Sequence, residues 1–294
     1  MASFTTLITA AGLKALLDAG RPCVLLDCGF DLADTQLGER AYAAGHLPGA
    51  RYAHLERDLS GPKRGTHGEG ASFAGRHPLP ERAAFAATAG RLGVVPGVQV
   101  VAYDMQGGPY AARAWWLLKW LGHDAVAVLD GGAAAWTTAG GALVAAAPGP
   151  STAAPYPAGP DAMPTVTAAS LLAEPDRWLI IDARAGERFR GDVEPLDPVA
   201  GHIPGAVNRF FKDNLQADGR FKPAAELRAA FDAIGAASQA GQRAPRELAH
   251  QCGSGVTACH NLLAMAHAGL PGAVLYPGSW SEWCADPGRP VARG

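Results

Sequence analysis

The chain lacks an excess of charge of either sign. Its 294 residues carry 25 basic and 27 acidic side chains, a formal net charge of −2, spread along the sequence rather than gathered in blocks. That leaves no electrostatic footprint for nucleic acid or for an anionic membrane surface, so neither is expected as a partner. No window approaches ~18 uninterrupted apolar residues, and the opening "MASFTTLITAAGLKALLDAG" has no basic stretch ahead of an apolar one. A soluble, cytoplasmic protein is expected. Cysteine is scarce: Cys23, Cys28, Cys252, Cys259 and Cys284 are five in all, odd in number and without a C-x2-C pair, which suits reduced thiols better than a disulfide framework. Nucleotide loops are missing as well. The glycine pairs at 107–108 and 131–132 are too short for a dinucleotide turn, and no G-x4-G-K-[ST] run occurs, so no cofactor is expected.

What the sequence does contain is itself, twice. "VLLDCG" (24–29) returns as "LIIDAR" (179–184), and "AGHLPGA" (44–50) returns as "AGHIPGA" (200–206), in the same order. Residues 100–136 then parallel the stretch from Leu248 to Trp283. We read two copies of one domain, 1–145 and 165–294, joined by a Pro-, Gly- and Ala-rich linker over 146–164. In the first copy, β-rich runs at 24–27, 49–52, 98–104 and 125–130 alternate with helical patterns at 80–91, 110–122 and 132–139. That alternation argues an α/β fold, each copy a parallel sheet flanked by helices. Asp27 and Asp182, ending the first strand of each copy, are expected to orient the "GH-[LI]-PGA" turns. Trp115, Trp116, Trp120, Trp136 and Trp283 are expected in the cores.

In such sheets the functional site lies beyond the carboxyl ends of the strands. "LAHQCGSGVTACHN" (248–261) puts Cys252 there, after a strand-like run and ahead of a helix. The matching residue in the first copy is Asp104, so only the second copy can carry thiol chemistry. Gly253, Ser254 and Gly255 allow a backbone that turns several N–H groups inward, and the following helix adds its positive end. Such a loop cradles an anion and favours the thiolate, the nucleophilic form. Ser254 and Thr257 add hydroxyls. The alternative, that Cys252 is a small buried hydrophobe, suits an isolated cysteine better than one in this context. Phosphatase chemistry would need an arginine at the end of the loop, where Thr257 and Ala258 stand. A zinc site from His250, Cys252, Cys259, His260 and His267 lacks ligand spacing. Seven positions from Cys252 to Cys259 span roughly 10 Å of helix rise, too far for a disulfide. Cys259 and Cys284 read as packing residues.

The tandem copies, "GHLPGA" and "GHIPGA", "LDGGAAAW", "YPGSWSEW" and "CGSGVTA" resemble the two-domain rhodanese-type sulfurtransferases over nearly the whole chain. The resemblance implies ping-pong transfer. Cys252 takes a sulfane sulfur from a small donor, holds it as a persulfide cradled by the N–H groups of Gly253, Gly255, Val256 and Thr257, and passes it to a thiol, cyanide or a thioredoxin-like protein. A covalent persulfide needs no cofactor and no metal. The "CGSG" loop resembles that of mercaptopyruvate-preferring members, with Ser254 beside the leaving group, whereas thiosulfate-preferring members carry basic residues there. Arg188 in "ERF" matches the family's donor-binding arginine, although Glu187, Asp192 and Glu194 are ready salt-bridge partners. A second arginine expected shortly after it is missing, with Leu196 and Asp197 in its neighbourhood; Arg190 and Arg209 are the nearest substitutes, and thiosulfate stays open as a donor. His77 matches a histidine that supports the loop serine, with Glu56 or Asp58 as its acid. The remaining reading is a carrier that hands sulfur to partner proteins without turnover on small acceptors.

Overall fold

Runs of Val, Leu and Ile too short for helices form two parallel sheets. They are seen in a computed structural model that describes residues 3–63, 73–149, 151, 154–239 and 246–294. The first sheet comprises β1 (Leu7–Ile8), β2 (Cys23–Asp27), β3 (Arg51–Tyr52), β4 (Gln99–Tyr103) and β5 (Val126–Leu129) in the order β1-β5-β4-β2-β3. Helices α1 (Ala10–Asp18), α2 (Leu37–Ala44), α3 (Arg82–Arg91), α4 (Pro109–Trp120) and α5 (Gly132–Thr138) connect the strands. The second copy repeats the plan. Its strands β6 (Trp178–Asp182), β7 (Val207–Asn208), β8 (Glu247–Gln251) and β9 (Val274–Leu275) lie in the order β7-β6-β8-β9, with helices α6 (Ala168–Ala173), α7 (Gly186–Arg190), α8 (Ala224–Gln239), α9 (Thr257–His267) and α10 (Ser279–Trp283). Every strand pair is parallel, as continuous apolar runs buried on both faces require.

The duplication extends to single interactions. His46 and His202 each pack flat on a ring one helical turn or more upstream, Tyr42 at 3.9 Å and Phe189 at 3.8 Å between centroids. Each also sets its Nδ1 against the carbonyl of that aromatic residue. Thr9 and Thr167 each cap the helix that follows, accepting the N–H of Gly12 and Ser170. Asp27 and Asp182 orient their turns as expected, each through one intermediate side chain. Asp27 holds Tyr103, whose hydroxyl accepts the Leu47 N–H, and Asp182 holds Arg184, whose Nη2 donates to the Gly201 carbonyl. The expected core tryptophans are all buried.

The linear cut at 145 and 165 differs from the compaction of the chain. One unit comprises Met1–Gly61, Pro80–Ala162 and Leu215–Phe221, the other Pro62–Leu79, Met163–Asn214 and Lys222–Gly294. Much of the supposed linker belongs to the first unit: Tyr156 is buried, its N–H donates to Ala86, its hydroxyl meets His123, and Gly159 N–H donates to Leu121. Apolar anchors in a Pro-rich stretch carry no period, so their burial is invisible to pattern reading. Conversely, Arg76 and His77 serve the second unit, as shown below.

Among the described residues no helix is long and apolar enough to cross a membrane. Within β8, His250 is fully buried, its Nε2 3.0 Å from Met265 Sδ, and burial pushes its imidazole down to about 3. The unfolded chain takes up that proton near pH 6.5 and the folded chain only far lower, so stability falls as pH drops between the two values. At about pH 4.5 this histidine should cost roughly 2–3 kcal/mol of stability relative to neutral pH. Urea midpoints of wild type and His250→Val at the two pH values check this; equal acid losses in both proteins would contradict it.

Candidate active site

β8 delivers Cys252 at its carboxyl end, and the turn out of the strand is fixed by three backbone bonds. The Cys252 N–H donates to Ser279 Oγ at 3.1 Å, its carbonyl accepts from Trp280, and the Gly253 carbonyl accepts from Ser281. Ser279 is the one described non-glycine residue with a left-handed backbone, φ 54°. Its hydroxyl passes its own hydrogen to the Tyr276 carbonyl, which leaves the oxygen free to accept from Cys252. Strain of this kind gathers where a side chain must stand in one place.

Those carbonyls are thereby bonded to α10. Among the described residues no protein acceptor takes the N–H groups of Gly253, Ser254, Val256 or Thr257. Gly255 makes the turn at φ +76°, and a Cβ there would run into the Pro277 carbonyl. The corresponding loop of the first unit shows what such amides bind. Gly107 repeats the left-handed turn at φ +87°. The Asp104 carboxylate accepts from Gln106 and Gly108 through one oxygen and from Tyr110 and Ala111 through the other, at 2.8–3.1 Å. A loop of this geometry is an anion cradle, and in the first copy the anion is its own carboxylate.

The Ser254 hydroxyl lies 2.7 Å from His77 Nδ1, both side chains buried, so the serine–histidine pair expected from the sequence is present. The oxygens of Asp58 accept from the His54 N–H and from Arg91 within the first unit. Glu56 stands in the same first-unit turn, its N–H donated to His54 Nδ1.

Of the acids beside it in sequence, Arg188 takes Glu194 as its partner. Its Nε and Nη2 bind Glu194, at 3.2 and 2.6 Å, and Nη2 lies 3.5 Å from Asp197. A methyl group placed on Gly253 would also meet Arg188 Nη1 at 3.5 Å. Arg190 pairs with Asp192 near the surface, and Arg209 lies over the Phe231 ring and binds the Asp213 carbonyl and Asn214; each is committed to those partners. Sequence reasoning missed four residues here. Arg184 is buried on Asp182, Glu194 and the Trp280 ring; burial opposes its charge, but Asp182 foremost, then Glu194 and Cys252, raise its pKa. Asp197, read only as a departure, has a fully buried side chain that pairs with Arg76. Ser279 and Arg76 complete the set. Only the "GSWSEW" repeat of "GGAAAW" pointed toward Ser279.

Three of the other cysteines are set apart from this chemistry. Burial pushes Cys23 and Cys284 up to about 12 and Cys28 further, so they stay protonated. Cys259 is buried in α9 with its thiol on the Gly255 carbonyl. Among the described residues no group of three or more His, Cys, Asp or Glu side chains is arranged to hold a metal ion. The site thus combines a thiol at the head of a glycine-rich loop, a hydroxyl hydrogen-bonded to an imidazole, and guanidinium groups close to Gly253.

A rhodanese-like domain model matches residues 9–139 and again 165–286. The chain is 48% identical to a probable 3-mercaptopyruvate sulfurtransferase of Pseudomonas aeruginosa, with 99% of each chain covered. It is 41% identical to a putative thiosulfate sulfurtransferase, SseB, of Mycobacterium tuberculosis, over 98% of this chain and 97% of that one. The crystal structure of the 3-mercaptopyruvate sulfotransferase SseA from Escherichia coli superposes with a TM-score of 0.74 at 30% identity, covering 95% of this chain and all of that one. Two rhodanese-like domains in tandem and full-length similarity to enzymes of this kind make the chain a member of the two-domain rhodanese-type sulfurtransferases.

Proposed function

We propose that this enzyme moves a sulfane sulfur from a small anionic donor, 3-mercaptopyruvate in preference to thiosulfate, to a thiol or cyanide acceptor by a ping-pong route through a persulfide on Cys252. The observation that carries the reading is the Cys252 loop, whose uncommitted amides occupy the place where the sister loop closes around a carboxylate. The thiolate attacks the donor sulfur, forming the S–S bond as the donor's C–S bond breaks. The electron pair leaves as pyruvate enolate, which takes up a proton at carbon. Ser254, hydrogen-bonded to His77, stands where it can stabilise and protonate that enolate. Arg188 holds the donor's anionic end, positioned by Glu194. Loop amides from Gly253 to Thr257 stabilise the charged persulfide until an acceptor thiolate or cyanide takes its outer sulfur and returns Cys252 as thiolate. Each step conserves its electrons within these bonds, so the route calls on no cofactor. A small thiol or a thioredoxin-like protein is the natural acceptor class.

Thiosulfate remains the second reading on a specific observation: Leu196 stands where a second arginine was expected, and a relative at 41% identity carries the thiosulfate name. With thiosulfate the same attack breaks the S–S bond and releases sulfite. Steady-state transfer to cyanide with each donor in parallel tests the order, and mercaptopyruvate should show the higher kcat/KM. Failure of the purified protein to turn over either donor would refute the enzymatic reading in favour of a carrier.

Cys252→Ser should lose transfer by at least about 10³-fold with both donors, because a hydroxyl cannot hold the transferred sulfur; mass spectrometry should find the added 32 Da only in wild type treated with donor. Ser254→Ala separates the donors. Enolate needs a proton donor and sulfite does not, so kcat with mercaptopyruvate should fall by about 10²-fold while kcat with thiosulfate stays within about threefold. Equal losses would contradict the proton role. Arg188→Ala should raise KM for both donors by roughly 10-fold or more, the size of a lost charge-assisted hydrogen bond.

A further inference from the structure

The segment that brings His77 to Ser254 brings a second group with it. Arg76 precedes His77, and its guanidinium comes nearer to the loop than that of Arg188: a methyl group on Gly253 would meet Arg76 Nη2 at 3.0 Å. Two features fix Arg76 in place. Its N–H donates to Ser281 Oγ, while the Ser281 N–H donates to the Gly253 carbonyl, so the Arg76 backbone is tied through one residue to the backbone beside Cys252. At Gly75, φ +90°, any side chain would collide with the Gly278 carbonyl and Ser281, which shows how closely the segment lies on the start of α10. Its guanidinium is tied by Asp197, whose carboxylate is completely buried, whereas about a fifth of the Arg76 side chain is exposed.

Asp197 is the hinge of the arrangement. One of its oxygens holds Arg76 and the other faces Arg188 Nη2 at 3.5 Å. The shared carboxylate sets two planar forks side by side at Gly253, each with N–H groups to spare, since a guanidinium carries five. A surface arginine that merely paired with an acid would need neither a buried partner nor a backbone anchor to the nucleophile's loop.

We propose that Arg76 is a donor-binding residue, its guanidinium acting with that of Arg188 as a two-fork clamp on the carboxylate or sulfonate end of the sulfur donor. This rests on the sulfurtransferase reading of Cys252. The clamp explains how a site whose loop carries no basic residue gathers positive charge from outside it. It also accounts for Asp197, which would otherwise be a buried acid beside an anion site.

Arg76→Gln keeps a hydrogen bond to Asp197 and removes the charge; Arg76→Lys keeps the charge and removes the fork. For Arg76→Gln the expected result is a rise in KM of about 10-fold or more for both mercaptopyruvate and thiosulfate with kcat within about threefold. For Arg76→Lys a smaller rise is expected. In a ping-pong scheme kcat/KM for a neutral thiol acceptor such as 2-mercaptoethanol reports the second half-reaction alone. It should stay within about twofold of wild type, which a general structural lesion would not allow. Thiosulfate titrated calorimetrically into Cys252→Ser, with and without Arg76→Gln, gives the same answer without turnover, and about 10-fold weaker binding is expected. Unchanged donor KM and unchanged thiosulfate affinity in an active, folded Arg76→Gln protein would overturn the clamp and leave the sulfurtransferase reading standing. A wild-type protein inactive with both donors would remove that reading, and the clamp with it.

Discussion

A row of backbone N–H groups that turn toward one point at the end of the central strand must meet an acceptor, and both halves of this chain are built around that demand. Left-handed glycines, Gly107 and Gly255, make the turn. Buried amides without acceptors are costly. The first half meets the cost internally, with four amide bonds on Asp104. The second half puts a thiol at the same point and bonds its own carbonyls and the Cys252 N–H to α10. Ser279, held at φ 54°, and Gly255, with no room for a Cβ, follow from that requirement.

The charged groups around the loop obey a second constraint. Arg76, Arg184 and Arg188 are matched by Asp182, Glu194 and Asp197, so the guanidiniums stand beside Cys252 without leaving an uncompensated charge in a buried place. The division of labour follows burial. Arg184 is enclosed between Asp182 and Trp280 and braces the "GHIPG" turn through Gly201, whereas Arg76 and Arg188 keep part of their surface open beside Gly253. Carboxylates deeper than the arginines they hold leave part of each guanidinium-bearing side chain exposed.

How much of this could be read from the sequence depends on how local each feature is. The repeat, the alternation of strands and helices, and the strand–Cys–Gly-x-Gly–helix context are local, and the strands around 24–27, 98–104 and 125–130 appear within a residue or two of where periodicity puts them. The two-residue strand β1 is too short to show a period, and α1 was not read from the sequence although Thr9 caps it. Arg188 was visible because its neighbours carry the family pattern. Arg76 and Asp197 were not: they meet across 121 positions, and each alone is an ordinary charged residue near a proline. Asp197 registered only as a place where an arginine was missing. The bonds that Asp58 makes to Arg91 and to the His54 N–H are equally silent in the sequence, since Arg91 lies 33 positions away.

The contrast between Asp104 and Cys252 also bears on why one fold keeps one reactive centre after duplication. A carboxylate is a complete occupant: its two oxygens satisfy the surrounding amides and leave them nothing to do. A single sulfur fills less of the same cradle, and on the proposed reading the unfilled part accommodates a second sulfur and its charge. Replacing sulfur by carboxylate therefore converts a site that can hold a transferable atom into a permanent structural plug, at no cost to the amides. That exchange retires the chemistry of one copy while preserving the hydrogen bonds that its fold depends on.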